Sequence, residues 1–253
     1  MSFMPDVPDL PELPVLIEMP TDWERCLAIV PHPDDMEYGA SAAVAAWTDA
    51  GKSVAYLLVT RGEAGIDDMD PTIVAPLRAD EQRAACDAVG VESLEFLDYP
   101  DGVLEYGLPL RRDLAAAIRQ VRPELVVTVN HRETYPGGGL NMADHRVTGQ
   151  AVIDAVRDAG NRWVFTDLLD QGLEPWAGVR WVALSGSPQA SHAVDISATL
   201  DRGVASLAAH KRYLEALGDN FMAEPETFLR TMAEQTAASF GGRLATTFEL
   251  LAM

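Results

Sequence analysis

The chain has 253 residues, of which 48% are hydrophobic, enough for one large domain or two small ones with a core that needs no disulfide or structural metal. Asp and Glu number 39 against 19 Lys and Arg, and the resulting net charge of −20 repels nucleic-acid phosphates and anionic lipid headgroups, so neither is expected as a partner. The two cysteines, Cys26 and Cys86, are far apart and sit in no CxxC pattern, which argues against a disulfide scaffold and fits a reducing compartment.

Residues 1–22 are rich in Pro and acidic groups and read as an extended arm, because Pro fixes φ and removes a donor. Their start has neither a basic region nor a continuous apolar stretch, unlike a signal peptide, and no segment reaches the roughly 18 apolar residues that cross a bilayer. The expectation is a cytoplasmic protein. Residues 23–253 read as a single domain. Cys26–Val30 is an apolar run with the look of a buried strand, stopped by Pro31. Ser41–Ala50 is a small-residue helix before Gly51, and Val54–Val59 a second buried strand. Helical spacing over Ala75–Val89 ends at Gly90. Leu94–Leu97 is a short strand, Leu110–Val121 a helix stopped near Pro123, and Leu125–Val129 a third clear strand. Ala143–Asp158 is helical up to Gly160, Trp181–Leu184 is a strand, and Val194–Ile196 is strand-like. Ile196–Leu217 and Pro225–Phe240 read as mainly helical.

Strands apolar on both faces, alternating with helices, indicate a parallel sheet covered on both sides. The fold class expected is α/β, three-layered and Rossmann-like, with a mostly parallel sheet. Ligands of such sheets gather at the carboxyl ends of the strands, which directs attention to residues 31–38, 60–67, 98–102 and 130–145.

The first of these segments reads Pro31-His32-Pro33-Asp34-Asp35-Met36-Glu37. His32 and Asp35 stand three apart across a tight turn, so an imidazole and a carboxylate can face one point, and both are suitable zinc ligands. Asp34 lies between them on another side of the turn, where it can stand beside a metal-bound water. Taken alone, the segment reads equally well as an acidic helix start with a surface histidine. The last segment, Asn141-Met142-Ala143-Asp144-His145, follows a strand and a glycine-rich loop and opens another helix. His145 would complete three protein ligands, the number typical of a catalytic zinc site, with Asp144 free to orient one of them. Neither a GxSxG elbow nor a GxxxxGK[ST] loop is present.

His32-Pro33-Asp34-Asp35-x-Glu37 resembles the signature of the PIG-L / LmbE-like zinc-dependent N-acetylglucosaminyl deacetylases. Thr60-Arg61-Gly62-Glu63, Arg78-Ala79-Asp80-Glu81, Tyr99-Pro100-Asp101-Gly102 and Asp144-His145 are similar to further segments of that family, in the same order. The resemblance implies a hydrolase that cleaves an N-acyl, in particular an N-acetyl, amide of a small amino-sugar-like molecule and releases acetate and an amine. It implies one Zn2+ per chain held by His32, Asp35 and His145, with Asp34 as general base. It also places Glu63, Arg78 and Asp101 against the sugar. One position departs from the pattern: where the family's HPDH segment begins with a histidine, this chain has Met142, which cannot handle a proton. His131 or His192 are the candidates for the missing imidazole, with His192 preferred as the second catalytic group. Two other readings remain open: an amidase for a different amide such as a thiol S-conjugate, and a catalytically impaired ligand-binding member of the fold. Whether the chain forms a homo-oligomer is also open.

Overall fold

A computed structural model of the chain describes residues 15–253. The strands are β1 (Ile17–Glu18), β2 (Arg25–Val30), β3 (Ser53–Leu58), β4 (Ser93–Phe96), β5 (Leu125–Val129), β6 (Trp181–Ser185), β7 (His192–Asp195) and β8 (Ala245–Ala252). They form one sheet in the order β1-β7-β8-β6-β5-β2-β3-β4, parallel throughout except for β8, which runs antiparallel between β6 and β7. The helices are α1 (Asp35–Gly39), α2 (Ser41–Asp49), α3 (Pro71–Val89), α4 (Leu108–Val121), α5 (Ala143–Gly160), α6 (Asp167–Asp170), α7 (Leu200–Leu207), α8 (Lys211–Leu217) and α9 (Pro225–Ala237).

Two apolar layers hold helices to the sheet. On one face Ala28, Val30, Tyr56, Leu58, Val127 and Phe248 pack against Val44 and Trp47 of α2, Cys86 and Val89 of α3 and Leu200 of α7. On the other, Leu27, Ile29, Val126, Val182 and Leu184 pack against Leu114 and Ile118 of α4 and Val152 and Ala155 of α5. The three-layer, mostly parallel α/β class expected from the sequence is therefore the one found. Strands β2, β3 and β5, buried along nearly their whole length, are the apolar runs that announced it.

Three elements differ from expectation. Helix α3 begins at Pro71 rather than Ala75, because the Asp70 side chain accepts from Thr72 N–H and Pro71 tolerates the first turn. The stretch read as mainly helical over residues 196–217 is so only from Leu200, as two helices, α7 and α8, with a break at residues 208–210. The third is β8, which was not anticipated. As for the N-terminal arm, residues 1–14 lie outside the described residues, and Ile17–Glu18 pair with β7 as an edge strand, with Leu16 and Met19 buried.

The chain leaves β2 for β3 on one side, while β5 lies against β2 on the other. This reversal opens a crevice between the carboxyl ends of β2 and β5, and the loops carrying His32 and His145 both empty into it.

Candidate metal centre and active site

Two close approaches bring the loops together. Helix α5 packs hard on the end of β5 at Gly149, where a Cβ would stand 2.7 Å from the Val129 carbonyl oxygen and 2.9 Å from His131 Cβ. Glycine there lets the first turn of α5, with Asp144 and His145, lean over the crevice. The loop after β3 passes Arg78 at Gly62, whose φ of +64° and lack of room for any side chain both require glycine.

His32, Asp35 and His145 converge, each offering one ligand atom within 4.8 Å of the others. Asp35 Oδ1 lies 2.9 Å from His145 Nε2, and Asp35 Oδ2 lies 3.4 Å from His32 Nδ1 and accepts from the His32 N–H at 2.7 Å. Although burial opposes its charge, the two imidazoles hold the Asp35 carboxyl far below the usual carboxylate range. The remaining nitrogen of each imidazole is engaged from behind. His145 Nδ1 is 2.9 Å from Tyr135 Oη, and His32 Nε2 faces Asp101 Oδ1 at 3.0 Å and Asp144 Oδ2 at 3.3 Å. Burial again opposes charge on His32, but Asp35, Asp101 and Asp144 hold its pKa well above the ordinary histidine value. Such outer contacts fix the tautomer and ring orientation of metal-binding histidines.

The donor set suits a divalent cation. His145 Nε2 is buried and makes no hydrogen bond, even with Asp35 Oδ1 2.9 Å away. Two donor atoms that touch without bonding to one another could share a cation. Two imidazoles and one carboxylate match in type and number the three protein ligands of catalytic rather than structural zinc sites.

Asp34 has φ +86°, a left-handed conformation uncommon for a residue with a side chain. It is held from helix α3: Arg78 Nη2 donates to Asp34 Oδ2 at 2.8 Å and Gln82 Oε1 accepts from the Asp34 N–H at 3.1 Å. Burial raises the Asp34 carboxyl and Arg78 opposes the rise, leaving it at about 6.

The residues expected to touch the sugar are turned inward. Arg78 is buried and donates to the carbonyls of Gly62 and Pro33 as well as to Asp34, while the Tyr213 ring covers its guanidinium at 4.2 Å. Glu63 accepts from the Asp101 and Arg61 main chains. Asp101 accepts from the Ala64 N–H and contacts His32. All three knit the strand-end loops together. His192 is a correction to the expected site: it stands on β7, four strands from β2, about 19 Å across the sheet at ~4.8 Å per strand. Its ring nitrogen meets the neighbouring Ser191 hydroxyl instead. His131 has its Cβ close to Gly149, with Arg132 and Glu249 nearby. Met142 is the N-cap of α5 and is exposed. Tyr135, Gln82 and Tyr213 were not foreseen; no local pattern marks a tyrosine or glutamine as a neighbour of a distant turn.

Residues 27–156 match the family described as PIG-L: GlcNAc-PI de-N-acetylase. The chain belongs to this family. Among PIG-L relatives, the diacetylchitobiose deacetylase of Thermococcus kodakarensis is 30% identical over 231 residues, covering 88% of this chain and 82% of its own length. A 1D-myo-inositol 2-acetamido-2-deoxy-alpha-D-glucopyranoside deacetylase of Kineococcus radiotolerans is 33% identical over 165 residues, which are 52% of this chain and 44% of that protein. The solved structure of N,N'-diacetylchitobiose deacetylase from Pyrococcus horikoshii superposes with a TM-score of 0.80 at 27% identity, covering 91% of this chain and 85% of the other. As a PIG-L member the chain is a hydrolase of non-peptide C–N bonds. Among the described residues, no helix is long and apolar enough to cross a membrane.

Proposed function

We propose that the chain is a zinc-dependent deacetylase that removes the acetyl group from the nitrogen of a small amino sugar. The observation that carries this reading is the meeting of His32, Asp35 and His145 at one point with the Asp34 turn between two of them. His32, Asp35 and His145 would hold one zinc ion, which when bound lowers the pKa of water to about 7 and polarises an amide carbonyl. Asp34 takes the proton from the attacking water. Arg78 and Gln82 keep its carboxylate and main chain in place, so the base does not have to be ordered at each turnover. The leaving nitrogen must gain a proton before its bond to carbon breaks. Met142 cannot supply one, His192 lies across the sheet and His131 packs against Gly149 of α5 beside Arg132 and Glu249, so Asp34 returns the proton it took. Glu63 and Asp101 shape the loop that would border the sugar, and Asp101 together with Asp144 orients His32.

The names of the relatives support an N-acetylglucosamine-type substrate. The test is amine release from N-acetylglucosamine and N,N'-diacetylchitobiose by the zinc-loaded protein and its Asp34→Ala variant. The variant should keep stoichiometric zinc and lose roughly 10²–10⁴-fold in turnover; undiminished turnover would overturn the role of Asp34. Met142 favours a second reading, a protein that binds ligand without turnover. That reading requires one zinc per chain with no amine released from any N-acyl amino sugar.

A further inference from the structure

Behind Asp34 lies a buried polar chain that the reaction as described does not use. Gln82 Nε2 donates to Glu37 Oε1 at 3.0 Å, while Gln82 Oε1 takes the Asp34 N–H. Glu37 Oε2 is 3.5 Å from His210 Nε2, and the Ser206 hydroxyl stands 3.4 Å from Glu37 Oε1. Glu37 and His210 are fully buried, and Glu37 Oε2 and both ring nitrogens of His210 make no hydrogen bond. A carboxylate and an imidazole out of water are costly for stability, and an apolar pair of similar volume would pack there more cheaply. The pair is therefore better accounted for by what it does to its neighbours.

The chemistry of the amide says what that is. A carboxylate only accepts, so Glu37 draws the NH2 end of Gln82 toward itself and leaves the carbonyl end for Asp34. With the amide reversed, an NH2 group would face the Asp34 N–H, donor against donor. That N–H belongs to a left-handed residue ahead of α1, and its acceptor is the Gln82 carbonyl. Glu37 thus sets the orientation of the group that holds the strained main chain of the base, and His210, capping α8, stands against the other oxygen of Glu37.

Resting on the reading of Asp34 as the base, we propose that Glu37 and Gln82 are a positioning pair, Glu37 orienting the Gln82 amide that keeps Asp34 in its left-handed conformation beside the proposed metal ligands. A catalytic group displaced by about 1 Å can lose on the order of 100-fold in rate. Glu37→Leu and Gln82→Met should each lower kcat by roughly 10–100-fold while KM stays within about twofold and one zinc ion is retained. Glu37→Gln keeps an acceptor for the Gln82 NH2 group and should restore most of the lost kcat. A crystal structure of Gln82→Met should show Asp34 out of the left-handed region. Should Glu37→Leu not fold, Gln82→Met decides: full turnover by a folded, zinc-loaded Gln82→Met with Asp34 unmoved overturns the proposal. Asp34→Ala assayed alongside separates the two claims. If that variant turns over normally, the base assignment fails; if it is inactive while Gln82→Met is normal, only the positioning pair fails.

Discussion

Asp144→Asn is the sharpest perturbation of the proposed metal centre, because it changes one atom of a side chain outside the cluster of His32, Asp35 and His145. Asp144 Oδ2 accepts from the Gly102 N–H at 2.8 Å and faces His32 Nε2 at 3.3 Å, and Oδ1 accepts from the Leu104 N–H at 3.1 Å. An amide has one acceptor end. Placed toward His32 it leaves the NH2 group against the Leu104 N–H; reversed, it sets NH2 against both Gly102 and His32. In the cheaper arrangement one buried main-chain donor loses its partner, at about 1–3 kcal/mol. The contact to His32 also loses its charge assistance, about half its strength, and His32 becomes a less basic and less firmly oriented ligand. Zinc affinity should fall by roughly 10–100-fold, read by competition against a chromogenic chelator. The metal-stripped protein should lose about 2–4 °C in Tm per kcal/mol at this chain length. A variant that binds zinc and melts as the wild type does would refute the argument that Asp144 orients His32 and anchors the loop of residues 101–104.

Three further outcomes test other parts of the structure. Arg119, buried between α4 and α5, donates to the carbonyls of Asp158, Ala159, Asn161, Val164 and Leu173, the open end of α5 and the loop beyond. Arg119→Met should cost about 3–5 kcal/mol in chemical denaturation, and a loss below about 1 kcal/mol would mean that water replaces the guanidinium there. Burial raises the Glu249 carboxyl, but Arg132 and Ser187 outweigh it and hold it below its ordinary value. A depressed carboxyl contributes stability above its unfolded pKa of about 4.3 and loses it as pH falls through the folded value. With Arg132 partly exposed, Glu249→Gln should cost about 1–2 kcal/mol at pH 7 and progressively less as pH falls below the unfolded value of about 4.3, measured as a pair of urea titrations. Cys26 and Cys86 are buried with thiol pKa values pushed up by desolvation, so Ellman's reagent should label neither in the folded protein and both once it is unfolded.

What could be read from the sequence was what short-range chemistry decides. The apolar runs of β2, β3 and β5 identified a doubly covered parallel sheet, the rule that ligands collect at strand ends directed attention to the segments holding His32, Asp35 and His145, and the resemblance to the PIG-L signature singled those residues out. The errors lie where a distant element decides. Strand β8 reads Ala-Thr-Thr-Phe-Glu-Leu-Leu-Ala, follows two glycines and carries a charged residue that turns out to be buried. Nothing local marks it as a central strand, since Glu249 is admitted to the interior by Arg132, beyond β5, and Ser187, beyond β6. Missing β8 bears directly on His192. With β7 against β6 the histidine would stand three strands from β2, and the inserted β8 makes it four.

Arg78 shows the same limit at the scale of a single side chain. The family resemblance placed it against the sugar. Yet Arg78 and Gln82 sit four apart on α3, one helical turn, and reach the carboxylate and the main chain of the same aspartate. That spacing was visible all along; what gave it meaning was the approach of the β2 turn to α3. A candidate metal centre can be legible from its donor set because the chemistry of imidazole and carboxylate donors is specific, whereas groups proposed to hold a base in place are ordinary residues given meaning by what they face.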